Sequence, residues 1–152
     1  RAKEAHSPID DLTEGTFREV IDDETVPDRS AVRRVVLASG KVALEALNEK
    51  AGRGLGDVAV VRLEQLYPFP EGPVVEAVAG YPRCTSLCWL QEEPENMGPW
   101  NFLHGRLHRS FRNDVKLTHV SRFESGSPAT GSKDVSDLER ADLLNRALTI
   151  PA

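Results

Sequence analysis

The feature that most constrains this chain is an alternation of short apolar runs with segments of helical periodicity. The apolar runs form the centres of the segments 33–39, 57–66, 84–91 and 115–120. A run that is apolar on both faces is typical of a parallel strand covered by helices on each side. Parallel neighbours also need a long crossover between them, usually a helix. The alternation therefore predicts an α/β fold, a three-layer sandwich with a mostly parallel central sheet.

Glycine and proline mark the ends of the intervening helices, which are predicted over residues 41–50, 71–80, 98–112 and 134–148. In the last helix, apolar residues recur at helical spacing and are expected to form its buried face. These residues are Val135, Leu138, Ala141, Leu144 and Leu148. The two tryptophans should differ, because Trp89 lies in the middle of the third apolar run whereas Trp100 follows a helix-opening proline. We expect Trp89 to be buried and Trp100 to be partly exposed.

The first part of the chain lacks this alternation. Residues 1–31 are interrupted by Pro8, Gly15 and Pro27 and are rich in acidic side chains. We predict an extended linker arm there, with one short strand around residues 17–21, and an α/β domain over residues 32–152. Because the chain opens at Arg1 rather than at a methionine, it is interpreted as a piece of a longer protein or as a processed chain.

Charge and hydropathy restrict the partners of the protein. Nineteen basic residues against 24 acidic ones give a net charge of −5, whereas a broad nucleic-acid surface needs a clustered basic face. No apolar run approaches the roughly 20 residues of a membrane span, and no secretory signal opens the chain. Two cysteines are too few for a disulfide scaffold and favour a reducing compartment. We therefore expect neither nucleic acid nor membrane as a partner, and a cytoplasmic location.

Two glycine-containing motifs resemble phosphate-binding loops but lack their context. The glycines of residues 52–56 precede a predicted strand, whereas a dinucleotide-binding loop follows a strand and opens a helix. Residues 39–41, Ser-Gly-Lys, do lie between a strand and a helix. Val35 and Val42, however, occupy the positions where a nucleotide-hydrolase loop needs glycine and a hydroxyl residue. A weak anion site at this helix start remains compatible with the residues.

Histidines and cysteines also occur in pairs. His104 and His108 lie one helical turn apart but lack the glutamate of a metalloprotease motif, so they are interpreted as surface residues. Cys84 and Cys88 are expected on one face of a strand as small core residues. The residues therefore predict no catalytic, cofactor-binding or metal-ligating position within this chain.

The carboxyl edge of the predicted sheet is the place where open α/β sheets bind ligands. Polar residues expected there form a candidate anion site, and they are Ser39, Lys41, Arg62, Gln91 and Arg122. Lys41 and Arg122 would pair with phosphate oxygens, and the helix start after Gly40 would add backbone N–H donors. The alternative is that these two cations neutralise Glu92, Glu93 and neighbouring acids, in pairs worth under about 1 kcal/mol.

Four segments carry a resemblance to a known family. Residues 62–70 read R-L-E-Q-L-Y-P-F-P and residues 91–100 read Q-E-E-P-E-N-M-G-P-W, with S-G-K-V at 39–42 and S-P-A-T-G at 127–131. In order and spacing they resemble the C-terminal domain of the thiamine-diphosphate-dependent 2-oxoglutarate dehydrogenase subunit. The chain departs from the family pattern at Ala43 and Leu44, at Ser121, and near Val135 and Ser136, where the family usually carries a histidine.

The resemblance implies a transketolase C-terminal-domain-like fold within a larger subunit that forms a homodimer. That subunit decarboxylates 2-oxoglutarate in the tricarboxylic acid cycle and transfers the succinyl group to the lipoyl arm of a succinyltransferase. Thiamine diphosphate and magnesium are held there through a Gly-Asp-Gly motif, which this chain lacks, since it has only Gly56-Asp57-Val58. The resemblance therefore implies that this domain binds no cofactor and is inactive alone. In some members the domain responds to acetyl-CoA or a nucleotide, which extends the candidate anion site to an acyl-CoA site.

Two other functions stay open at this point. The chain could belong to a 2-oxoadipate dehydrogenase, since the Asn-Met-Gly-Pro-Trp sequence of residues 96–100 also occurs there. It could also be a stand-alone module that binds a nucleotide or coenzyme A. If the source is a eukaryote, the expected location becomes the mitochondrial matrix.

Overall fold

A computed structural model describes residues 6–111 and 115–151 of the chain. The elements of the first half are α1 (Ile9–Thr13), β1 (Val20–Ile21), a short 3-10 helix (Arg29–Ala31), β2 (Arg34–Ala38), α2 (Lys41–Arg53) and β3 (Val58–Leu63). Those of the second half are α3 (Glu71–Ala79), β4 (Ser86–Pro94), α4 (Trp100–Phe111), β5 (Lys116–Arg122) and α5 (Lys133–Leu148). The predicted alternation of strands and helices is confirmed. The predicted end of α4 at Arg112 falls outside the described residues.

The five strands form one sheet in the order β1-β3-β2-β4-β5. Strands β2 to β5 pair in parallel, and only β1 at the edge runs antiparallel to its neighbour. The register places Arg62, Ala38, Leu90 and Val120 in one row across the sheet. The strands therefore end together, and the turns that follow them share one edge.

Alternating side chains of the strands divide the core into two halves. Val35, Leu37 and Trp89 pack on one face, together with apolar residues of α3 and α4. Val36 and Leu90 pack on the other face, against α2 and α5. This arrangement confirms the three-layer sandwich with a mostly parallel sheet. Trp89 is buried, as predicted, at 1 % exposure.

Glycines set both ends of α2. Gly40 precedes the helix with a φ of 69°, and Gly54 ends it in the left-handed conformation with a φ of 64°. Only glycine adopts such angles without a steric penalty. The predicted stop in the glycine-rich segment is confirmed, although the helix runs on to Arg53 rather than ending at residue 50.

The N-terminal arm contains more structure than the sequence predicts. The short strand is confirmed, since Val20 and Ile21 pair with Leu63 and Arg62 of β3. Helix α1 and the 3-10 helix were not predicted, because α1 buries none of its residues and therefore leaves no core pattern in the sequence. Between these elements, residues 14–19 and 22–28 form no regular helix or strand.

Two adjacent aspartates attach the arm to opposite faces of the sheet. Asp23 and Lys50 form a buried ion pair at 2.5 Å, and the same carboxylate accepts the Val60 N–H at 2.9 Å. Asp22 accepts the Tyr81 hydroxyl at 2.5 Å and pairs with Arg29 at 2.5 Å. Burial opposes the ionisation of Asp22, but these two hydrogen bonds outweigh it and lower the pKa of its carboxyl group.

The predicted buried face of α5 is wrong at three of its five positions. Val135 is 45 % and Leu138 74 % exposed, and Ala141 is exposed as well, whereas the buried residues are Leu143, Leu144, Ala147 and Leu148. The reason is that α5 packs on the core only from Leu143 onward, while Val135 borders a cavity beside the 123–132 loop.

The two cysteines do not share a face, contrary to the prediction. Because β4 begins only at Ser86, Cys84 lies before the strand and packs against the α3/α4 core, whereas Cys88 belongs to the α2/α5 core. Burial raises the pKa of both thiols, which disfavours the reactive thiolate. Neither thiol has the environment of a nucleophile.

Within residues 6–111 and 115–151, no helix combines the length and the apolar character needed to span a bilayer.

Candidate functional site at the carboxyl edge of the sheet

The carboxyl edge gathers the turns that follow β2, β4 and β5. Ser39, half-buried, directly follows β2, and Lys41 opens α2 directly behind Gly40. The Lys41 side chain is 65 % exposed and pairs with Glu45 of the same helix at 3.1 Å. Ser39 and Lys41 therefore flank Gly40 at the start of α2.

The five predicted residues lie on two different faces of the sheet. Residues two apart on a strand share a face, so Arg62 and Arg122 lie on the same face as Val60 and Val120, which pack on the α2/α5 side. Gln91 alternates with Trp89 on the α3/α4 side. Arg62 and Arg122 are also separated by three strand spacings, or at least about 14 Å. Arg62 pairs with Glu64 at 3.8 Å rather than with a group beside Arg122, and Gln91 faces the opposite layer.

Gln91 is a buried structural residue with satisfied hydrogen bonds. Its side-chain oxygen accepts the Trp89 indole N–H at 2.9 Å and the Trp100 backbone N–H at 3.0 Å. Its amide nitrogen donates to the carbonyl of Pro94 at 3.1 Å. The side chain thus ties the central strand, the 92–99 turn and the first N–H of α4 together. These contacts leave no side-chain group directed to a ligand.

Gly98 makes this arrangement possible. A Cβ atom at position 98 would overlap the side-chain amide of Gln91. The glycine is therefore required by the close approach of the turn to that amide rather than by an unusual φ. The turn of residues 92–99 is consequently shaped by packing.

Trp100 is 8 % exposed, so the prediction of a partly exposed ring is wrong. The indole stacks on His119 of β5, with ring centroids 4.3 Å apart and planes 17° apart. The His104 ring lies against it at 4.9 Å. The position at a helix start suggested exposure, but β5 supplies a flat partner that covers the ring.

Lys41 and Arg122 each have an acidic partner on the same side of the sheet. Glu45, which pairs with Lys41, also lies 3.4 Å from Arg140 of α5. Arg122 pairs with Glu139 of α5 at 3.1 Å, and its side chain is 15 % exposed. The acids that neutralise these cations are thus residues of α2 and α5, rather than Glu92 and Glu93 as the alternative interpretation expected.

Arg122 also lines a cavity of about 560 Å³ between the end of β5, the 123–132 loop and α5. Its lining combines Arg122 and Arg146 with three acids and with apolar residues such as Phe123 and Val135. Asn96 and Ser125 exchange two hydrogen bonds, at 3.0 and 3.2 Å, and so join the 92–99 turn to this loop. The sequence did not predict this cavity, because it depends on how the 123–132 loop, including its S-P-A-T-G segment, packs beside α5.

The described part of the chain contains no cluster of three or more histidine, cysteine or acidic side chains able to hold a metal ion. His104 and His108 are exposed on α4, as expected for surface histidines, with ring centroids 6.1 Å apart.

Fold and site together define an α/β domain whose mixed-charge carboxyl edge holds a ligand-sized cavity but no recognisable set of catalytic residues among the described positions. A family model described as 2-oxoglutarate dehydrogenase C-terminal matches residues 6–148. The chain therefore belongs to the 2-oxoglutarate dehydrogenase C-terminal family.

Curated relatives agree with this assignment. The chain is 41 % identical to the 2-oxoglutarate dehydrogenase E1 component of Cupriavidus necator over 86 % of its length, and it covers 14 % of that protein. It is 40 % identical to the E1/E2 component of Corynebacterium glutamicum over 97 % of its length, covering 12 % of it. The E1 component of Haemophilus influenzae is 37 % identical over 95 % of the chain, which covers 16 % of it. The chain thus spans about one-sixth or less of these relatives.

Proposed function

We propose that this chain is the C-terminal domain of a 2-oxoglutarate dehydrogenase E1 subunit. The complete subunit would decarboxylate 2-oxoglutarate and transfer the succinyl group to the lipoyl arm of a succinyltransferase, in the tricarboxylic acid cycle. The observation that supports this proposal is the family match, which includes both halves of the core and the whole carboxyl edge.

The residues of this domain do not fit a thiamine diphosphate and magnesium site. The nearest sequence to the required Gly-Asp-Gly motif is Gly56-Asp57-Val58. Asp57 precedes β3 at the amino edge of the sheet, and its carbonyl accepts the Arg33 N–H at 2.9 Å. We therefore assign no reaction step to this domain, and the proposed cofactor site belongs to other parts of the subunit.

The role of the domain itself is proposed to be structural, as part of a homodimeric subunit in the cytoplasm, or in the mitochondrial matrix of a eukaryote. A hydrophobic core on both faces of the sheet can support such a structural role without catalytic groups. The upstream coding sequence tests this proposal. It should encode a Gly-Asp-Gly thiamine motif, whereas a start codon directly before Arg1 would favour a stand-alone nucleotide- or CoA-binding module.

A second proposed role is the binding of a phosphate-bearing effector, such as acetyl-CoA or AMP, at the α2/α5 side of the carboxyl edge. The observation that favours it is that the largely buried Arg122 guanidinium borders a ligand-sized cavity while Ser39 and Lys41 lie at the nearby start of α2. Arg62 lies on the same face of the sheet, three strand spacings away, and does not line this cavity, so its part in the site stays a prediction. Gln91 is not included, because its side chain faces the other layer.

Calorimetric titration of the full-length subunit with acetyl-CoA and AMP tests this second role. The double variant Lys41→Ala/Arg122→Ala should lose affinity at least tenfold. A Lys133→Ala variant is the matched control, since Lys133 is an exposed cation at the start of α5 that pairs with Asp137 and is not a member of the proposed site. Equal affinity in parent and double variant, or no binding in either, would remove these residues from the proposal.

The related substrate 2-oxoadipate is the main rival to 2-oxoglutarate. In the proposed function the substrate pocket lies in other parts of the subunit, so the choice between the two acids depends on those parts. Steady-state turnover of both acids by the complete enzyme distinguishes them.

A further inference from the structure

Two exposed histidines are neighbours on the surface of α4. His104 and His108 are four residues apart, which places them about 40° apart around the helix axis and about 6 Å apart along it. Side chains with this spacing meet on a helix surface. Their ring centroids are 6.1 Å apart, and both side chains are exposed. The two imidazoles are therefore within reach of a single hydrated ion.

The separation of these rings is close to that of two imidazoles bound to one metal ion. Zn–N bonds of about 2.0–2.1 Å in a tetrahedral arrangement place such ring centroids about 5 Å apart. The rings of His104 and His108 therefore have to approach by about 1 Å. Exposed side chains change rotamer within picoseconds to nanoseconds, so side-chain rotation alone can bring the rings together.

The core of the domain positions the first of these rings. The His104 ring packs against the indole of Trp100, with centroids 4.9 Å apart and planes 59° apart. Trp100 is itself buried and stacks on His119. One ligand is thus oriented before an ion binds, which lowers the entropic cost of binding. The remaining adjustment falls on His108.

The surroundings of the pair describe an open site rather than a closed one. His119 is not a third ligand, since its ring is stacked on Trp100 and its Nε2 atom lies 3.4 Å from the Glu95 carboxylate. Gly105 leaves open space between the histidines, because a Cβ atom there would meet nothing within 4 Å. A metalloprotease motif has its glutamate at that position. The pair therefore offers two nitrogen ligands and no general base.

We propose that His104 and His108 together bind one divalent transition-metal ion, with water molecules in its other coordination positions. Neutral imidazole suits Zn²⁺, Cu²⁺ and Ni²⁺, whereas Mg²⁺ and Ca²⁺ prefer oxygen ligands. Among the divalent first-row ions Cu²⁺ binds such ligands most strongly. The bound ion joins two successive turns of α4. The proposal does not rest on the proposed function, since it uses only residues of this helix.

Copper binding to the full-length subunit tests the proposal. The parent and the variants His104→Gln and His108→Gln are dialysed to equilibrium against micromolar Cu²⁺, and the bound copper is counted by elemental analysis. His6→Gln is the matched control, because His6 is also exposed but has no histidine four residues further along the chain. Electron paramagnetic resonance of the same samples gives the number of nitrogen atoms that coordinate the copper.

The parent and His6→Gln should each hold one Cu²⁺ more per subunit than His104→Gln or His108→Gln. The difference spectrum between the parent and either α4 variant should show two coordinated nitrogens, and an excess of Zn²⁺, but not of Mg²⁺, should abolish it. Titration should give a Kd at least tenfold weaker for this ion in each α4 variant.

Two results would overturn the proposal. One is equal bound copper, with equal Kd, in the parent and in either α4 variant. The other is a difference of one ion whose spectrum shows a single coordinated nitrogen, since this would assign the copper to one histidine rather than to the pair. Both histidines are exposed, so the glutamine variants should keep the unfolding midpoint of the parent in the absence of metal.

Discussion

The substitution Gln91→Ala should destabilise the domain strongly, because it removes the group that joins β4, the 92–99 turn and α4. Gln91 is 2 % exposed and accepts the indole N–H of Trp89 and the backbone N–H of Trp100. Its removal leaves both donors without a partner in the interior. A buried donor that loses its partner costs about 1–3 kcal/mol, so the two together cost about 2–6 kcal/mol.

Urea unfolding followed by tryptophan fluorescence measures this loss. With a slope of about 2 kcal/mol per M, the midpoint should fall by about 1–3 M. Water entering the vacated space would move the result toward the lower end of this range, since a buried water can replace some of the hydrogen bonds. The slope itself should stay unchanged, because the unfolded surface is the same.

The other glutamine provides a matched control. Gln65 also donates to a proline carbonyl, that of Pro68 at 2.9 Å, but it is half-buried, so water can replace its contacts. Gln65→Ala should therefore cost under about 1.5 kcal/mol. Gln91→Glu should not restore the stability, because a carboxylate at this position would be buried without a cation and would face the carbonyl oxygens of Glu93 and Pro94. Equal midpoints for Gln91→Ala and Gln65→Ala would refute the reasoning.

Three further outcomes are expected. Trp89→Ala should cost about 3–5 kcal/mol in the same unfolding assay, and an unchanged midpoint would contradict the burial of this ring in the α3/α4 core. Lys50→Met leaves the buried carboxylate of Asp23 without its cation and should cost about 3–5 kcal/mol, whereas a stability equal to the parent would show that the pair is not buried. Because the folded-state pKa of Asp22 is lowered, the contribution of this carboxylate to stability is complete above about pH 4 and is lost as the pH falls through the folded-state pKa. Asp22→Asn should therefore flatten the dependence of the unfolding free energy on pH in that acidic range. An unaltered dependence would contradict the lowered pKa.

The strand–helix alternation was predictable because burial on both faces leaves an unbroken apolar signal in the sequence. Val35 to Ala38 and Val58 to Val61 are examples, and the structure places both in the centre of the sheet. The glycine stop after α2 was predictable for a similar local reason, since a left-handed backbone selects glycine.

Long-range packing explains what was missed. Periodicity alone cannot show where the core beneath a helix ends, so Val135, Leu138 and Ala141 were wrongly assigned to the interior. Trp100 is covered by His119, which lies on another strand and has no spacing relation to it along the chain.

The candidate site was predictable in outline only. Parallel strands that end in one row bring Ser39, Lys41 and Arg122 to a common edge, and topology alone predicts this. The face of the sheet on which the Gln91 side chain lies depends on strand register. The cavity beside Arg122 depends on the conformation of a loop, which is set by contacts such as that between Asn96 and Ser125.

The most direct test of the central proposal is the turnover of 2-oxoglutarate by the complete subunit that carries this chain as its C-terminal domain. We expect decarboxylation that requires added thiamine diphosphate and magnesium and is faster for 2-oxoglutarate than for 2-oxoadipate, while the 152-residue chain alone stays at the level of the blank under the same conditions. Thiamine-dependent turnover by the isolated chain, or no thiamine-dependent turnover of 2-oxoglutarate by the complete subunit, would contradict the account.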